Sequence, residues 1–221
     1  MSTTDIPYLS HVAPTVQRRR MTFEEFLEWE PEGGLAEWVD GEVIYNMSVT
    51  LAHQRIVEYF DRLLGWLIDL WGLGEIHTAP YIMRAKPDGA GREPDLMFIA
   101  SANLARLENR CLTGPADLII EVVSDESLSR DRAEKFYEYQ SASVREYWII
   151  DPRPSLQRAD FYVLDNRGKF QPVPIGADGI YRSTVMTGFW LQVAWLWEDR
   201  PNFRAAYDEI TATEKPKLAG E

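Results

Sequence analysis

Glu121 interrupts the apolar run Leu118-Ile119-Ile120-Glu121-Val122-Val123, so the sequence predicts an ionised carboxylate in the middle of a strand covered on both faces. An isolated charge there costs several kcal/mol unless a cation, a metal ion or hydrogen bonds compensate it. A buried ion pair with an arginine or lysine meets that need as well as a functional site does. Asp95, 26 positions earlier, opens a second short apolar run directly after Pro94. Two carboxylates on neighbouring strands can converge on one divalent ion, because Mg²⁺ takes hard oxygen ligands and fills its other positions with water. The plainer reading of Asp95 is a turn cap or a partner for Arg92. Asp131, Lys135 and Tyr139 are spaced by four and share one helical face beside the Glu121 strand. Phosphodiester hydrolysis needs a metal to polarise the phosphate and orient water, and a nearby ammonium can stabilise the developing charge. Lys135 is the candidate for that role; its ordinary reading is a surface lysine paired with Asp131.

The elements that must position these groups follow from periodicity and punctuation. Thr22-Phe23-Glu24-Glu25 has capping-box spacing and predicts a short helix to Trp29, ended by Pro31, Gly33 and Gly34. Ala36 to Asn46 reads as two strands joined by Asp40-Gly41, a pair that tolerates positive φ, and this hairpin carries Glu37. Between Thr50 and Trp71, apolar residues at three-and-four spacing predict an amphipathic helix with His53 on its inward face, stopped by Gly72 and Gly74. A lone inward histidine is more often a hydrogen-bonded core residue than a ligand. Ile76 to Met83 reads as one strand, Lys86 to Gly91 as a loop, Pro94 to Ile99 as a strand and Ser101 to Leu107 as a short helix. Asp117 to Val123, a helix over Leu128 to Ser141 and a strand over Glu146 to Ile150 make a crossover unit of an α/β core. Short strands at Asp160 to Leu164, Lys169 to Val173 and Ile180 to Thr184 form a β-rich extension of the same sheet or a small annex. Met1 to Arg20 is expected to be a loose tail, 21–197 a single domain, and 198–221 a polar tail or short helix.

With 221 residues, 45% of them hydrophobic, the chain can bury a sizeable core without disulfides. Its net charge of −12 argues against a non-specific polyanion binder, which relies on clustered cations. A nuclease can still be acidic overall if its site is acidic and a metal neutralises it. Arg84, Lys86, Arg92 and Arg106 are scattered, with Glu93 among them. The single cysteine, Cys111, excludes an internal disulfide. The N-terminal stretch ends in Arg18-Arg19-Arg20, the reverse of signal-peptide order, and the apolar window Leu63 to Leu73 is far below the ~20 residues that cross a bilayer. A cytoplasmic protein with no membrane partner is the expectation.

Several stretches together carry a family resemblance: Glu37-Trp38-Val39-Asp40-Gly41-Glu42, His53-Gln54-Arg55-Ile56, Glu93-Pro94-Asp95-Leu96, the Asp117 to Ser124 run, Asp131-x3-Lys135-x3-Tyr139 and Glu146-Tyr147-Trp148-Ile149-Ile150-Asp151. In this order they resemble the Uma-type restriction endonuclease family of the PD-(D/E)xK nuclease superfamily, over about Met21 to Trp197. The resemblance implies a restriction-endonuclease-like α/β core, with a central mixed β-sheet flanked by helices, and Mg²⁺- or Mn²⁺-dependent cleavage of DNA. On this likeness Asp95 and Glu121 match the metal-binding acids, and the backbone carbonyl of Val122 completes the site. Where the superfamily lysine is expected, two residues after the acid, this chain has Val123; Lys135 of the following helix matches the displaced lysine. Glu37, His53 and Tyr139 match supporting positions. The turn Ser124-Asp125-Glu126-Ser127 departs from the family's Ser-Pro-Ser type and sets two more acids near the site.

The leading expectation is therefore a metal-dependent endonuclease acting through Asp95, Glu121 and Lys135. The alternative is a catalytically inactive dimeric binding or regulatory module that keeps the fold, its acids neutralised by Lys135 and arginines. A third is metal-assisted hydrolysis of a small phosphoester. Trp66, Trp71, Trp148, Trp190, Trp195 and Trp197 favour core or dimer-interface packing over base stacking. The alternating stretch Tyr181 to Val193 is the expected pairing surface of a homodimer.

Overall fold

The structure, a computed structural model, describes residues 19–29, 35–46, 49–123 and 134–213. The loose tail expected before Arg19, the acidic turn 124–127, Asp131, the start of the helix expected from Leu128, and residues 214–221 lie outside the described residues.

Local chemistry builds the first elements as the residues dictate. Glu25 N donates to Thr22 Oγ1 (3.1 Å) while Thr22 N donates to the Glu25 carboxylate (2.8 Å), a reciprocal cap that starts α1 (Phe23–Glu28) and turns Phe23 and Phe26 inward. Strand β1 (Arg19–Arg20) pairs with β3 (Glu42–Asn46), which forms a hairpin with β2 (Leu35–Val39). The hairpin turns at Asp40 and Gly41, whose φ values of 50° and 83° are the left-handed pair that this tight turn requires. Thr50 caps α2 (Leu51–Trp71) by accepting from His53 N, and Gly72 at φ 63° ends it. The inward stripe of α2, from His53 through Ile56, Phe60, Leu63, Leu64 and Leu67 to Trp71, is buried.

The remaining strands are β4 (Gly74–Thr78), β5 (Ile82–Arg84), β6 (Gly91–Arg92), β7 (Leu96–Ala100), β8 (Cys111–Thr113), β9 (Leu118–Val122), β10 (Glu146–Asp151), β11 (Arg158–Leu164), β12 (Phe170–Pro172), β13 (Ile180–Arg182) and β14 (Trp190–Gln192). They form a sheet ordered β1-β3-β2-β6-β5-β8, a second ordered β12-β11-β10-β9-β7-β4, and the hairpin β13-β14. In the second sheet β9 and β10 run parallel, joined by a crossover that contains α3 (Lys135–Ser141), and the other neighbours are antiparallel. This is the mixed sheet expected of the α/β core. Alternation along its strands sends Leu96, Phe98, Leu118, Ile120, Trp148 and Ile150 toward α2, and Met97, Ile99, Ile119, Tyr147 and Ile149 toward α3 and β5. Helix α4 (Phe203–Thr213) packs on the outside of α2.

Three expectations change. Ile76 to Met83 is two strands in different sheets, because Pro80 has no N–H to give a ladder and the chain leaves the second sheet there for the first. Ser101–Arg106 is a 3₁₀ helix, and β8 had no sequence signal strong enough to find it. The stretch expected as a pairing surface folds inward: Tyr181, Met186, Phe189 and Leu191 are buried in the chain's own core. The β-rich C-terminal part is both of the forms expected, since β11 and β12 extend the second sheet while β13 and β14 stand apart. No helix among the described residues is long and apolar enough to cross a membrane.

Glu146, fully buried at the start of β10, shows how that hairpin is anchored. Its carboxylate accepts from Trp148 Nε1 (2.8 Å), the Tyr181 hydroxyl, Ser183 Oγ (3.1 Å), Thr184 N and Oγ1 (both 3.0 Å) and Val185 N (3.1 Å). Glu146→Ala strands several of these donors without water, so a loss of at least about 3 kcal/mol of unfolding free energy is expected. Urea denaturation checks it, and a loss below about 1 kcal/mol would show that the hairpin is held by its apolar contacts alone.

Candidate metal and phosphodiester site

The end of β7 brings the two acids close along the chain of β9. The ladder runs from Phe98 opposite Leu118 to Leu96 opposite Ile120, and just before it Asp95 Oδ2 accepts from Val122 N, the residue after Glu121, at 2.7 Å. Glu121 shares a face with Ile119 and Val123, the side of the sheet on which Tyr139 of α3 is buried. The same alternation that fills the core thus turns a charged side chain into it.

Glu121 is 3% exposed, and α3 supplies its compensation. Lys135 and Tyr139, one helical turn apart, both donate to Glu121 Oε1, at 2.9 and 2.8 Å. Lys135 Nζ lies 3.1 Å from Glu37 Oε1 as well, and Arg92 Nη1 donates to Glu37 Oε2 at 3.1 Å. Arg92 in turn donates to Glu138, a third residue of α3, through Nε (2.8 Å) and Nη2. The network therefore runs Glu121, Lys135, Glu37, Arg92, Glu138 and ties the two sheets to one helix. Burial opposes the charge on Arg92, but Glu138 and Glu37 more than offset it and raise its pKa. Burial, helped by the Glu121 charge, pushes the Tyr139 phenol well above its ordinary value, so it remains a hydroxyl donor.

Asp95 stands beside this network. Its Oδ2 accepts from Val122 N (2.7 Å) and lies 3.2 Å from His53 Nε2, while 11% of the side chain stays exposed. A proton on His53 Nε2, donated to Asp95, leaves Nδ1 as the acceptor; that atom is buried and has no hydrogen-bond partner among the described residues. Glu93, 8% exposed, accepts from Ala36 N at 2.8 Å. Burial pushes its pKa up to about 7, against the Ala36 hydrogen bond, and the Glu37 charge adds to the rise.

All the residues expected at the site, Glu37, His53, Asp95, Glu121, Lys135 and Tyr139, are brought together. Lys135 is not the surface lysine of its ordinary reading; it is buried, and Arg92 pairs with Glu37 and Glu138 rather than with Asp95. The other scattered cations stay apart. Arg84 lies over the Phe23 ring near Glu24, Lys86 donates to Ser141, and Arg106 donates to the Pro115 carbonyl. Sequence reasoning missed Arg92, Glu93 and Glu138 as members. The available signals were the adjacency of Arg92 and Glu93 to Asp95, and the i,i+3 spacing of Glu138 from Lys135.

The donor set fits a hard divalent cation. Five carboxylates, from Glu37, Glu93, Asp95, Glu121 and Glu138, face two cations, Lys135 and Arg92, so the site carries excess negative charge. Among the described residues no group of three or more His, Cys, Asp or Glu forms a ready-made cage. A Mg²⁺-type ion needs none, since one or two carboxylates with water suffice.

A family model described as "Uma2: Putative restriction endonuclease" matches residues 23–194. The fold is similar to that of a crystal structure from Anabaena variabilis ATCC 29413, described as a "putative nuclease belonging to DUF820", at a TM-score of 0.63 and 14% identity over 80% of this chain and 97% of that one. No curated protein matches.

The raised Glu93 pKa makes stability depend on pH in the metal-free protein. The folded value, about 7, lies above the ordinary 4.5, so its contribution is fully present below pH 4.5 and is lost as pH rises through 7. Glu93→Gln removes this dependence. In chelator, urea denaturation from pH 4.5 to 8 should show the variant gaining about 3 kcal/mol relative to the wild type; parallel curves would place the Glu93 titration elsewhere.

Proposed function

Because the chain belongs to the Uma2 family, we propose that it is a divalent-metal-dependent endonuclease that hydrolyses DNA phosphodiester bonds. The observation that carries the reading is that Asp95 accepts at 2.7 Å from the backbone amide of Val122, the residue after Glu121, while Lys135 donates to Glu121. A restriction-endonuclease family and a nuclease-like fold support it.

Asp95 and Glu121 are the residues that would hold Mg²⁺ or Mn²⁺, with the Val122 carbonyl as the third protein ligand. The metal, when bound, supplies Lewis-acid polarisation of the phosphate and a more acidic water. The protein's own groups do the positioning. His53 and the Val122 amide fix the Asp95 carboxylate, and Tyr139 fixes that of Glu121. Lys135 holds an ammonium beside the acids, where it offsets charge that grows on the phosphate during cleavage. Glu37, itself held by Arg92, keeps Lys135 in that place. Val123, where the superfamily lysine would stand, is buried in the core, so the charge is delivered from α3 instead of from β9. A homodimer, whose twofold axis would match that of duplex DNA, belongs to the same reading.

The test is cleavage of supercoiled and linear DNA at low salt with Mg²⁺ or Mn²⁺, together with metal binding by calorimetry. Wild-type protein should nick DNA only with the metal. Glu121→Gln and Asp95→Asn should each lower the rate at least about a hundredfold and weaken metal binding. Metal binding without cleavage would leave the site and remove DNA as substrate. No metal binding by the wild type would overturn the catalytic reading in favour of the inactive module.

A further inference from the structure

A second site lies on the outer side of α2. A pocket of about 290 Å³ opens between the start of that helix and the segment Arg200 to Phe203, which leads into α4. Its lining includes Arg55, Arg62 and Arg200 together with Glu58, and Asp199 and Glu198 stand next to it, on Arg55 and near Tyr59. Arg200 is exposed and makes no ion pair among the described residues. Arg62 holds its guanidinium over the Phe203 ring, 5.7 Å from the centroid, and contacts Glu58 at a loose 3.5 Å. Arg55 bonds Asp199 Oδ1 at 2.8 Å, but that aspartate is 90% exposed, and such a partner in water contributes little. The inner wall is Tyr59, 3% exposed, whose hydroxyl has no hydrogen-bond partner among the described residues.

We propose that this pocket binds a backbone phosphate of the nucleic acid on which the acidic site acts. Planar guanidinium forks match phosphate oxygens in pairs, and the pocket is lined by Arg200 and Arg62; among the described residues Arg200 has no ion pair, and the only acidic contact of Arg62 is the loose one to Glu58. Its place on the helix gives the ligand's identity. Gln54 and Arg55 follow directly on His53, the residue that touches Asp95, so the pocket begins within one turn of the acid pair. A strand gripped there is held next to Asp95 and Glu121, and the acidic site is spared the task of attracting a polyanion by itself. The polymer's identity rests on the endonuclease reading; the phosphate chemistry does not.

The test is fluorescence anisotropy with a labelled duplex of about 20 base pairs, in chelator so that no strand is cut, across a salt series. The Arg62→Ala/Arg200→Ala double variant is compared with the wild type and with Arg167→Ala, a control in an exposed turn of the second sheet. Circular dichroism confirms that each is folded. The double variant should bind about tenfold or more weakly near 0.1 M salt, and its log–log salt slope should fall by about 0.9 for the one lost phosphate contact. The control should match the wild type. Failure of the wild type to bind, an unchanged slope in the double variant, or an equal loss in the control would each overturn the proposal. Competition by inorganic phosphate in the wild type, with duplex binding untouched by the double variant, would assign a free-anion site and overturn it too. A selective loss of duplex binding in a protein that never cleaves would keep the pocket and remove the endonuclease reading instead.

Discussion

The structure depends on one constraint: Glu121 carries a carboxylate into the middle of a sheet covered on both faces. Its compensation must come from the layer above, and that fixes the rotation of α3, which has to turn Lys135 and Tyr139 inward together. Lys135 then needs more negative charge than one shared oxygen provides, and Glu37 of the first sheet supplies it. Glu37, fully buried, needs a second cation, Arg92, and Arg92 is completed by Glu138. Each group is explained by the previous one, and the chain of pairs crosses from one sheet to the other. Buried ion pairs of this kind contribute little net stability compared with apolar residues of the same size. A joint made of five ionised side chains is thus an expensive way to fasten two sheets, and that cost is an argument for chemistry at the joint.

Burial of a carboxylate does not by itself signal function here, and Glu146 shows why. It is as deeply buried as Glu121 and lies on the neighbouring strand, yet no cation among the described residues touches it. Hydroxyls, an indole and backbone amides satisfy both its oxygens, and every one of those donors belongs to β10 or to the segment around β13. That is a saturated structural site. Glu121 instead is compensated by a lysine and sits one residue from the amide that holds Asp95, a second acid whose side chain keeps an opening to solvent. The kind of compensation, and what lies beside it, separates a structural carboxylate from a candidate ligand.

The parts of the fold that were readable in the sequence are those governed by local physics. The capping box at Thr22, the Asp40-Gly41 turn, the stripe of α2 and the apolar run around Glu121 depend on neighbours within a few positions. The candidate acids were readable for the same reason, since a charge in an apolar strand is visible without a partner. The partners were not. Arg92 reaches Glu37 across 55 positions and Glu138 across 46, and those choices follow from how two sheets stack, which no local pattern encodes. Hydrophobicity misleads on α3 as well: Lys135 is buried while Tyr137 is 66% exposed, because the helix is rotated to serve Glu121 and not to bury its largest ring. The exchange of sheets at Pro80 was hidden because strand propensity resumes immediately after it.

The acidity of the chain bears on how a polyanion can reach such a site at all. At physiological ionic strength charges are screened beyond about 8 Å, so the chain's net charge of −12 governs the approach less than the groups within one or two helical turns of the contact. Near Asp95 those groups are of two kinds, acids facing inward and arginines along the outer start of α2. On the proposed reading the inward acids take a cation and Lys135 faces the phosphate, whereas the outer arginines can meet a phosphate without any metal. Separating the two tasks on opposite faces of one helix end would let the site stay acidic enough for the divalent ion that the proposed function requires. A continuous basic surface would give affinity for any polyanion at any point; on the proposed reading, a small pocket with arginines beside an acidic centre confines that affinity to the place where the strand would be cut.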